Sequence, residues 1–326
     1  MEENRKQSLF LGLDTSAYTT SMALVDRDEK LIFDKRLPLP VKEGSLGMRQ
    51  SEAVFAHITN MPYLWENGAG FLKDSTISAV ASSTRPRPVE GSYMPVFKVS
   101  EAFGSFLAQT MSLLFLPSSH QEGHVMAGLW SAGLSRGRYL VLHISGGTTE
   151  IIASDEETEG QLKLEICGGS TDLNAGQFID RLGMAMGLQF PAGPQLEALA
   201  ARSQEVALTL PVAITGTEIS FSGPASHAQR LLEQGCNKAD LARAIEICIA
   251  DSIAIAVNRL PREENEFEGV LAVGGVTANL FIRERLKEKI TGKQLYFAQP
   301  RYAADNAVGL AVQAARIHKK IDLSKL

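Results

Sequence analysis

The chain has 326 residues, a hydrophobic content of 44% and a formal net charge of -5. A chain of this length buries a large core and is expected to form two lobes rather than one. The acidic balance excludes a surface that attracts polyanions over its whole extent, so any nucleic-acid contact must come from a local patch or a partner. The charged N-terminus is unlike a signal peptide, and no apolar run reaches the roughly 18 residues of a membrane helix. We therefore expect a cytoplasmic protein without membrane contact.

The cysteine pattern argues against a disulfide framework. Cys167, Cys236 and Cys248 are odd in number, far apart in the chain and outside any C-x-x-C pairing. A cysteine zinc site is therefore not expected either. Small core residues are the role that this pattern favours.

The first half of the chain begins with a predicted β-hairpin. Residues 8–26 read as two strands around a small polar tip at residues 14–20, with an acidic side chain at its start. The elements predicted next are a third strand over 31–39, a loop over 40–47, a helix from Gln50 through Leu64, a buried strand over 77–82 and a helix over 99–111.

An arginine-bearing loop follows the strand predicted at residues 77–82. Its two prolines, Pro86 and Pro88, forbid regular structure. Arg85 and Arg87 either hold a phosphate group or are solvated loop charges, and the sequence leaves both readings open.

Two histidines follow Pro117 with helical spacing. On a helix capped by Ser118 or Ser119, His120 and His124 share one face and can hold one divalent metal ion. The alternative is an ordinary packed or solvated pair. Glu122 stands in the third position of this segment, so the H-E-x-x-H motif of metallopeptidases is not matched.

The opening hairpin pattern then recurs. Residues 131–137 are small and flexible enough to form a crossover, and residues 139–153 are again strand, small polar tip and strand. The tip contains Ser145, Gly146 and Gly147, which expose backbone N–H groups of the kind that bind phosphate. This weak internal repeat predicts two similar lobes.

A helical stretch over residues 174–188 is broken by the turn at residues 191–194 and then resumes. The turn can bring a backbone amide, such as that of Gly193, close to a ligand. Asp180 and Glu197, on either side of it, are candidates to accept hydrogen bonds from ribose hydroxyls, although each can equally be a solvated helix charge.

The last third of the chain contains a second nucleotide-binding pattern. A buried strand enters a Gly-Gly turn at Gly274 and Gly275 and leads into a helix, which in a parallel sheet is where a base or ribose commonly rests. Asp305 lies at or near the start of the closing helix, where capping is its default role. The other predicted elements are a strand-like stretch over 218–224, a long packed helix without chemistry of its own over 238–260 and a last strand over 295–297.

Several motifs together resemble the TsaD family, the tRNA threonylcarbamoyladenosine synthases formerly described as O-sialoglycoprotein endopeptidases. The match keeps the motif order and spans almost the whole chain. It is carried by Gly12-Leu13-Asp14-Thr15-Ser16, His120 to His124, Ser145-Gly146-Gly147, Ala192-Gly193-Pro194, Ser220 to Gly223, Gly274 to Asn279, and Asp305-Asn306.

The resemblance implies an actin-like, sugar-kinase-like α/β fold with duplicated RNase H-type sheets and with metal and nucleotide in the cleft. Lobe I would comprise residues 1–135 plus 308–326, and lobe II residues 136–307. By analogy, His120, His124 and Asp305 are the metal ligands, the ion being iron or zinc, and Asp14 is a catalytic carboxylate that accepts the amine proton. ATP or an adenylate would be held by His143, Ile144, Ser145, Gly146, Gly147, Asp180, Gly193, Glu197 and Asn279.

The implied reaction transfers a threonylcarbamoyl group from its adenylate to the amine of a tRNA adenosine, with tRNA and the proteins of a tRNA-modification complex as expected partners. Three segments depart from the family pattern: residues 17–19, 84–92 and 224–226. They suggest a divergent paralog, so the alternatives are carbamoyl-type transfer to a different acceptor, a metallopeptidase, or a non-catalytic actin-like scaffold.

Overall fold

The protein is described by a computed structural model that covers residues 6–16, 18–40, 48–204, 208–260 and 267–323. The chain divides into two compact units. Unit 1 comprises Met1–Arg136, Glu156–Lys163 and Asp305–Leu326, and unit 2 comprises Gly137–Asp155 and Leu164–Ala304. These units differ from the sequence-based lobes at residues 156–163 and 305–307. The loop predicted at residues 40–47 lies, except for Pro40, outside the described residues.

No helix in the described ranges is long and apolar enough to cross a membrane.

Unit 1 is built on a sheet with the strand order β3-β2-β1-β4-β5. Central β1 pairs antiparallel with β2 and parallel with β4, which confirms the predicted opening hairpin. The strands are β1 Gln7–Thr15, β2 Thr19–Asp26, β3 Leu31–Pro38, β4 Ser75–Arg85 and β5 Leu114–Ser119.

The alternation of side chains along β1 assigns its two faces. Leu9, Leu11 and Leu13 belong to one hydrophobic cluster together with residues of the first two helices of unit 1. The residues between them face the other way, toward the last helix of the unit, because successive side chains of a strand point to opposite faces. Asp14 therefore lies on the same face as Gly12 and Phe10. The helices of this unit are α1 Gln50–Ala69, α2 Phe97–Thr110, α3 His120–Ser131 and α10 Val308–Leu323.

The last helix, α10, lies very close to both β1 and α3. A Cβ atom at Gly12 would collide with the backbone of Ala307 and Ala311, and one at Gly309 would collide with the backbone of Gly123 and Ala127. Glycine at these positions therefore permits the close approach of α10.

Unit 2 contains the second sheet, in the order β12-β11-β6-β7-β8-β10-β9. Its strands are β6 Arg138–Ile144, β7 Thr149–Thr158, β8 Gln161–Ser170, β9 Ala213–Thr215, β10 Glu218–Ser220, β11 Gly269–Val273 and β12 Leu295–Phe297. Its helices are α4 Ala175–Ala185, α5 Gly193–Ala200, α6 Ser222–Glu233, α7 Lys238–Asn258, α8 Leu280–Lys289 and α9 Pro300–Ala303.

The two sheets share one topology. The order β8-β7-β6-β11-β12 repeats β3-β2-β1-β4-β5, with an antiparallel pair followed by parallel ones in both cases. The two hairpin tips also close with the same bond: Ser16 N–H donates to the Thr19 carbonyl at 3.1 Å, and Ser145 N–H donates to the Thr148 carbonyl at 2.7 Å. The weak sequence repeat thus corresponds to a structural duplication.

The strand predicted over residues 218–224 is wrong beyond Ser220. Helix α6 begins at Ser222, because the Asp172 carboxylate accepts the backbone N–H groups of Phe221 at 2.9 Å and of Ser222 at 3.4 Å. A carboxylate at these N–H groups favours helix initiation. Its partner, Asp172, is 50 residues away, so the local sequence could not reveal it.

The close packing of α10 predicts opposite effects for alanine at two matched glycines. Gly309 and Gly223 are each the second residue of a helix, but nothing lies within 4 Å of a Cβ at Gly223. We expect Gly309→Ala to lower the free energy of unfolding by about 1–3 kcal/mol through overpacking. Gly223→Ala should leave it unchanged or raise it by less than about 1 kcal/mol. Urea denaturation measures both, and equal effects of the two variants would contradict the packing.

Candidate metal centre and nucleotide-binding elements

Helix α3 begins with a capping box that fixes its first turn. Ser119 Oγ accepts the backbone N–H of Glu122 at 3.1 Å, and Glu122 Oε2 accepts the backbone N–H of Ser119 at 2.7 Å. Such reciprocal bonds satisfy donors that a helix start leaves open. Ser119 was one of the two predicted caps. Glu122 is thereby engaged in capping, which disfavours it as the water-activating base of a peptidase.

His120 and His124 lie one helical turn apart on α3, and Asp305 meets them from the other end of the chain. Asp305 Oδ1 lies 3.1 Å from His124 Nε2 and 3.5 Å from His120 Nε2. The two Nε2 atoms are 3.1 Å apart. The structure thus brings together all three residues of the expected ligand set, which we call the triad, with one ligand atom of each within 4.8 Å of the others.

The default role of Asp305 as a helix cap is taken by its neighbour. Asn306 Oδ1 accepts the backbone N–H of Val308 at 2.9 Å at the start of α10. Asp305 is thereby left for the histidines. The capping alternative that the sequence left open for Asp305 is therefore wrong, since adjacent Asp and Asn residues divide the two roles.

Two residues from the end of β1 hold the triad from behind. Asp14 Oδ1 lies 2.9 Å from His120 Nδ1, and Ser16 Oγ donates to Asp305 Oδ2 at 2.5 Å. They can do so because residues 14 and 16 point to the same side of the strand. Thr15 points the other way and donates to the Val96 carbonyl at 2.8 Å. Each held group keeps a second atom, His120 Nε2 or Asp305 Oδ1, for a ligand.

The electrostatics of the triad favour a bound cation. Burial opposes protonation of His120, but the charges and hydrogen bonds of Asp14 and Asp305 outweigh it and raise its pKa to about 10. Burial likewise disfavours the charged form of Asp305, yet hydrogen bonds and charge from His120 and His124 hold its pKa well below the usual range. The two carboxylates therefore stabilise positive charge at this position.

The chemistry of the donors also fits a divalent ion. Two imidazole nitrogens and one carboxylate oxygen form the 2-His-1-carboxylate set, which binds iron or zinc. The Asp14 carboxylate is 1% exposed, and its Oδ2 has no hydrogen-bond partner among the described residues. A buried carboxylate oxygen of this kind is costly unless a proton, water or cation meets it.

In unit 2, the predicted phosphate-binding tip is a turn between β6 and β7. Ser145 Oγ accepts the backbone N–H groups of Gly147 at 3.3 Å and Thr148 at 3.1 Å, which shapes the turn. Gly146 and Gly147 are exposed, and nothing lies within 4 Å of a Cβ at either position. Their backbone is thus open to a ligand. Ile144 and His143 are buried at the end of β6 before the turn.

The other predicted nucleotide residues of unit 2 form two separate groups. Asp180 accepts the backbone N–H of Ala192 at 2.7 Å, next to Gly193 at the start of α5, and burial raises the pKa of this aspartate. Glu197 Oε1 accepts the backbone N–H of Leu280 at 2.7 Å, beside Asn279. Both carboxylates thus brace backbone turns in this structure.

Asn279 is held by contacts of its own. Its Oδ1 accepts the backbone N–H of Ile282 at 2.9 Å, and its Nδ2 donates to Glu246 Oε1 at 2.6 Å. Glu246 is fully buried and pairs with Arg243 at 2.6 Å. Burial raises the pKa of Glu246 to about 7, although Asn279 and Arg243 act in the opposite direction. Sequence reasoning treated this helix, α7, as packing without chemistry and missed Glu246, for which a lone acid in an apolar helix was the signal.

The repeated sheet and the two hairpin tips define a protein of the actin-like, sugar-kinase-like α/β class, as predicted. A solved structure of this class is the activator of the 2-hydroxyisocaproyl-CoA dehydratase from Clostridium difficile with bound ADPNP. The alignment covers 98% of each chain with a TM-score of 0.56 and 14% identity, a likeness that shows the fold alone.

The family is shown by the sequence comparisons. The model of the family "TsaD: tRNA N6-adenosine threonylcarbamoyltransferase" matches residues 70–312. A relative of that name from Thermus thermophilus is 30% identical over 95% of this chain and 93% of its own. The relative of the same name from Archaeoglobus fulgidus is 27% identical over 95% of this chain and 91% of its own. The chain belongs to the TsaD family.

Family membership confirms the expected enzyme class, an acyltransferase, and supports the transferase reading over the peptidase and scaffold alternatives.

The raised pKa of Glu246 predicts a pH-dependent stability that one substitution should remove. Because the folded state holds this proton more tightly than the unfolded state, whose pKa is near 4.5, the free energy of unfolding falls as the pH rises from 4.5 to 7. Glu246→Gln cannot ionise, so we expect it to flatten the profile by up to about 3 kcal/mol. Urea denaturation from pH 5 to 8 measures this. Glu284→Gln, at an exposed residue of α8, is the control, and an unchanged slope in the Glu246 variant contradicts the assignment.

Proposed function

We propose that this protein transfers a threonylcarbamoyl group from its adenylate to the amine of an adenosine in tRNA. The observation that carries the proposal is the triad with its two supporting residues, found in a chain that belongs to the TsaD family. The relatives named as tRNA N6-adenosine threonylcarbamoyltransferases supply the reaction and the acceptor.

In this proposal His120 Nε2, His124 Nε2 and Asp305 Oδ1 hold one Fe²⁺ or Zn²⁺ ion. When bound, such an ion supplies Lewis-acid polarisation of a carbonyl or phosphoryl oxygen. The protein keeps the ligands in the correct protonation state. Asp14 accepts the proton on His120 Nδ1, which leaves Nε2 of that ring as the ligand atom.

Asp14 is also the candidate to receive the proton of the attacking amine. Its Oδ1 is engaged by His120, so Oδ2, which has no partner among the described residues, is the atom available. A carboxylate within reach of the amine can act as a general base. The two oxygens of Asp14 would thus have separate roles.

Unit 2 supplies the nucleotide contacts in this proposal. The exposed backbone at Gly146 and Gly147 would bind the phosphate of the adenylate, as N–H groups of tight turns commonly do. Asp180 and Glu197 hold the backbone at Ala192 and Leu280, so they would shape the nucleotide site around Gly193 and Asn279. The bound ADPNP of the Clostridium difficile activator supports a nucleotide in this fold.

A different acceptor is the second candidate, because the chain departs from the family in a loop near the triad. The Pro86 carbonyl accepts the backbone N–H of Gln121 at 3.0 Å, which places the arginine-bearing loop against the first turn of α3. Arg85 and Arg87 therefore lie close in the chain to a fixed neighbour of His120. Protein partners are expected for tRNA itself, since the net charge of -5 offers polyanions little general attraction.

A reconstituted reaction tests the transfer. With threonylcarbamoyl-adenylate, Fe²⁺ or Zn²⁺ and unmodified tRNA, the full chain should form threonylcarbamoyladenosine, detected by mass spectrometry of the digested nucleosides. His124→Ala removes a ligand and should lower product at least about 100-fold, whereas Asp28→Asn, at an exposed turn, should not. Adenylate consumption that is stimulated by a cell extract, but leaves tRNA unmodified, identifies the different acceptor. No consumption with tRNA or with extract contradicts the transferase proposal.

The role of Asp14 in orienting His120 is tested by Asp14→Asn. The asparagine amide can donate to His120 Nδ1, which then stabilises the tautomer whose Nε2 carries a proton and cannot bind metal. We expect the affinity for Zn²⁺, measured by chelator competition, to fall about 10- to 100-fold. The matched control Asp28→Asn changes the same charge on the surface and should bind like the unsubstituted protein. Unchanged affinity in Asp14→Asn contradicts this role.

A further inference from the structure

A buried histidine outside the triad is bonded to the first hairpin tip on both sides of its ring. His57, in α1, is fully buried. Its Nε2 lies 2.8 Å from the Ser16 carbonyl oxygen, and its Nδ1 lies 2.8 Å from Thr20 Oγ1. A carbonyl can only accept, so Nε2 carries the proton and Nδ1 accepts from the threonine hydroxyl.

A further contact fixes the direction of these bonds. Asn60 Nδ2 donates to Thr20 Oγ1 at 3.1 Å, so the hydroxyl proton of Thr20 is directed to His57 Nδ1. Burial lowers the pKa of His57, although the Ser16 carbonyl and the charge of Asp14 act in the opposite direction. The ring is therefore neutral, and one tautomer satisfies both of its nitrogens.

Ser16 carries this connection to the triad. Its carbonyl is held by His57, while its hydroxyl donates to Asp305 Oδ2 at 2.5 Å. The alternative acceptor of that hydroxyl, the Thr19 carbonyl, is farther away at 3.3 Å. Ser16 is 2% exposed, so water does not readily replace either partner. The main chain and the side chain of one residue thus link His57 to the triad.

We propose that His57 is a positioning residue for Asp305 and acts through Ser16. By fixing the Ser16 main chain, His57 fixes the hydroxyl that holds Asp305 Oδ2, and so determines the direction in which Oδ1 faces the two histidines. This inference rests on the proposed metal site. It adds a residue that lies outside the ligand set.

Two amide substitutions of His57 separate the Ser16 bond from the Thr20 bond. In His57→Gln the terminal amide takes the place of Nε2 and keeps a donor toward the Ser16 carbonyl. In His57→Asn the shorter side chain reaches the place of Nδ1 and keeps an acceptor for Thr20, but loses Ser16. Both variants keep a buried polar group and lose one bond, so they are matched in stability cost.

Co²⁺ serves as the probe, because its visible absorption reports both affinity and ligand geometry. We expect His57→Gln to bind Co²⁺ within about threefold of the unsubstituted protein, and His57→Asn to bind about 10- to 100-fold more weakly with an altered spectrum. Thermal denaturation of the metal-free proteins is measured in parallel. Equal Co²⁺ binding by both variants and the unsubstituted protein, or losses that follow the melting temperatures alone, would overturn the inference.

A double-mutant cycle tests the route through Ser16 even where His57→Asn is unstable. Ser16→Ala removes the hydroxyl and keeps the carbonyl, so it should weaken Co²⁺ binding by itself. Adding His57→Gln or His57→Asn to Ser16→Ala should then cost no more than about a further twofold, whereas additive losses show an independent effect and contradict the proposal. His124→Ala distinguishes the two levels: if it binds Co²⁺ like the unsubstituted protein, the metal site itself fails.

Discussion

The close approach of α10 to β1 and α3 is the constraint on which the candidate metal centre depends. Gly12 and Gly309 leave no room for a side chain at these contacts, so the helix backbone lies directly on its neighbours. Asp305, three residues before α10, is thereby carried to His124, 181 residues away in the chain. A rigid interior transmits small displacements, so added volume at this contact would move the carboxylate as well as cost stability.

Charge balance gives the centre its chemical character. Asp14 and Asp305 approach His120 from opposite sides of its ring, through Nδ1 and Nε2. The pKa of about 10 that results means that a proton, in the absence of metal, stabilises the same arrangement. A divalent ion must then displace this proton, which links metal affinity to pH. The two carboxylates therefore have different roles, since Asp305 faces the ligand position and Asp14 holds the ring that faces it.

Much of the fold was readable from local pattern, because hairpins, caps and strand-turn-helix units are short-range features. The strands around residues 14–20, the cap at Ser119 and the last strand Leu295–Phe297 follow from composition and spacing alone. The helix start at Ser222 was missed because its capping carboxylate, Asp172, is distant in the chain. Local preference is only a weak guide where a tertiary partner decides the outcome.

The candidate site divides along the same line. The spacing of His120 and His124 pointed to metal, but Asp305 joined them only through family resemblance, since beside Asn306 it reads as a helix cap. Ser16 and His57 gave no signal, because a serine in a turn and a histidine in an amphipathic helix are ordinary. Glu246 was similarly hidden in α7. Each of these roles depends on a contact with a residue far away along the chain.

X-ray absorption spectroscopy of the Zn²⁺-loaded protein tests the central claim most directly. We predict one ion per chain with two imidazole ligands at about 2.0 Å and a carboxylate oxygen at about 2.0–2.2 Å, with one imidazole contribution lost in His120→Ala and in His124→Ala. A spectrum with sulfur ligands, or with the same imidazole scattering in both variants as in the unsubstituted protein, would show that the ion is bound elsewhere and would contradict the account.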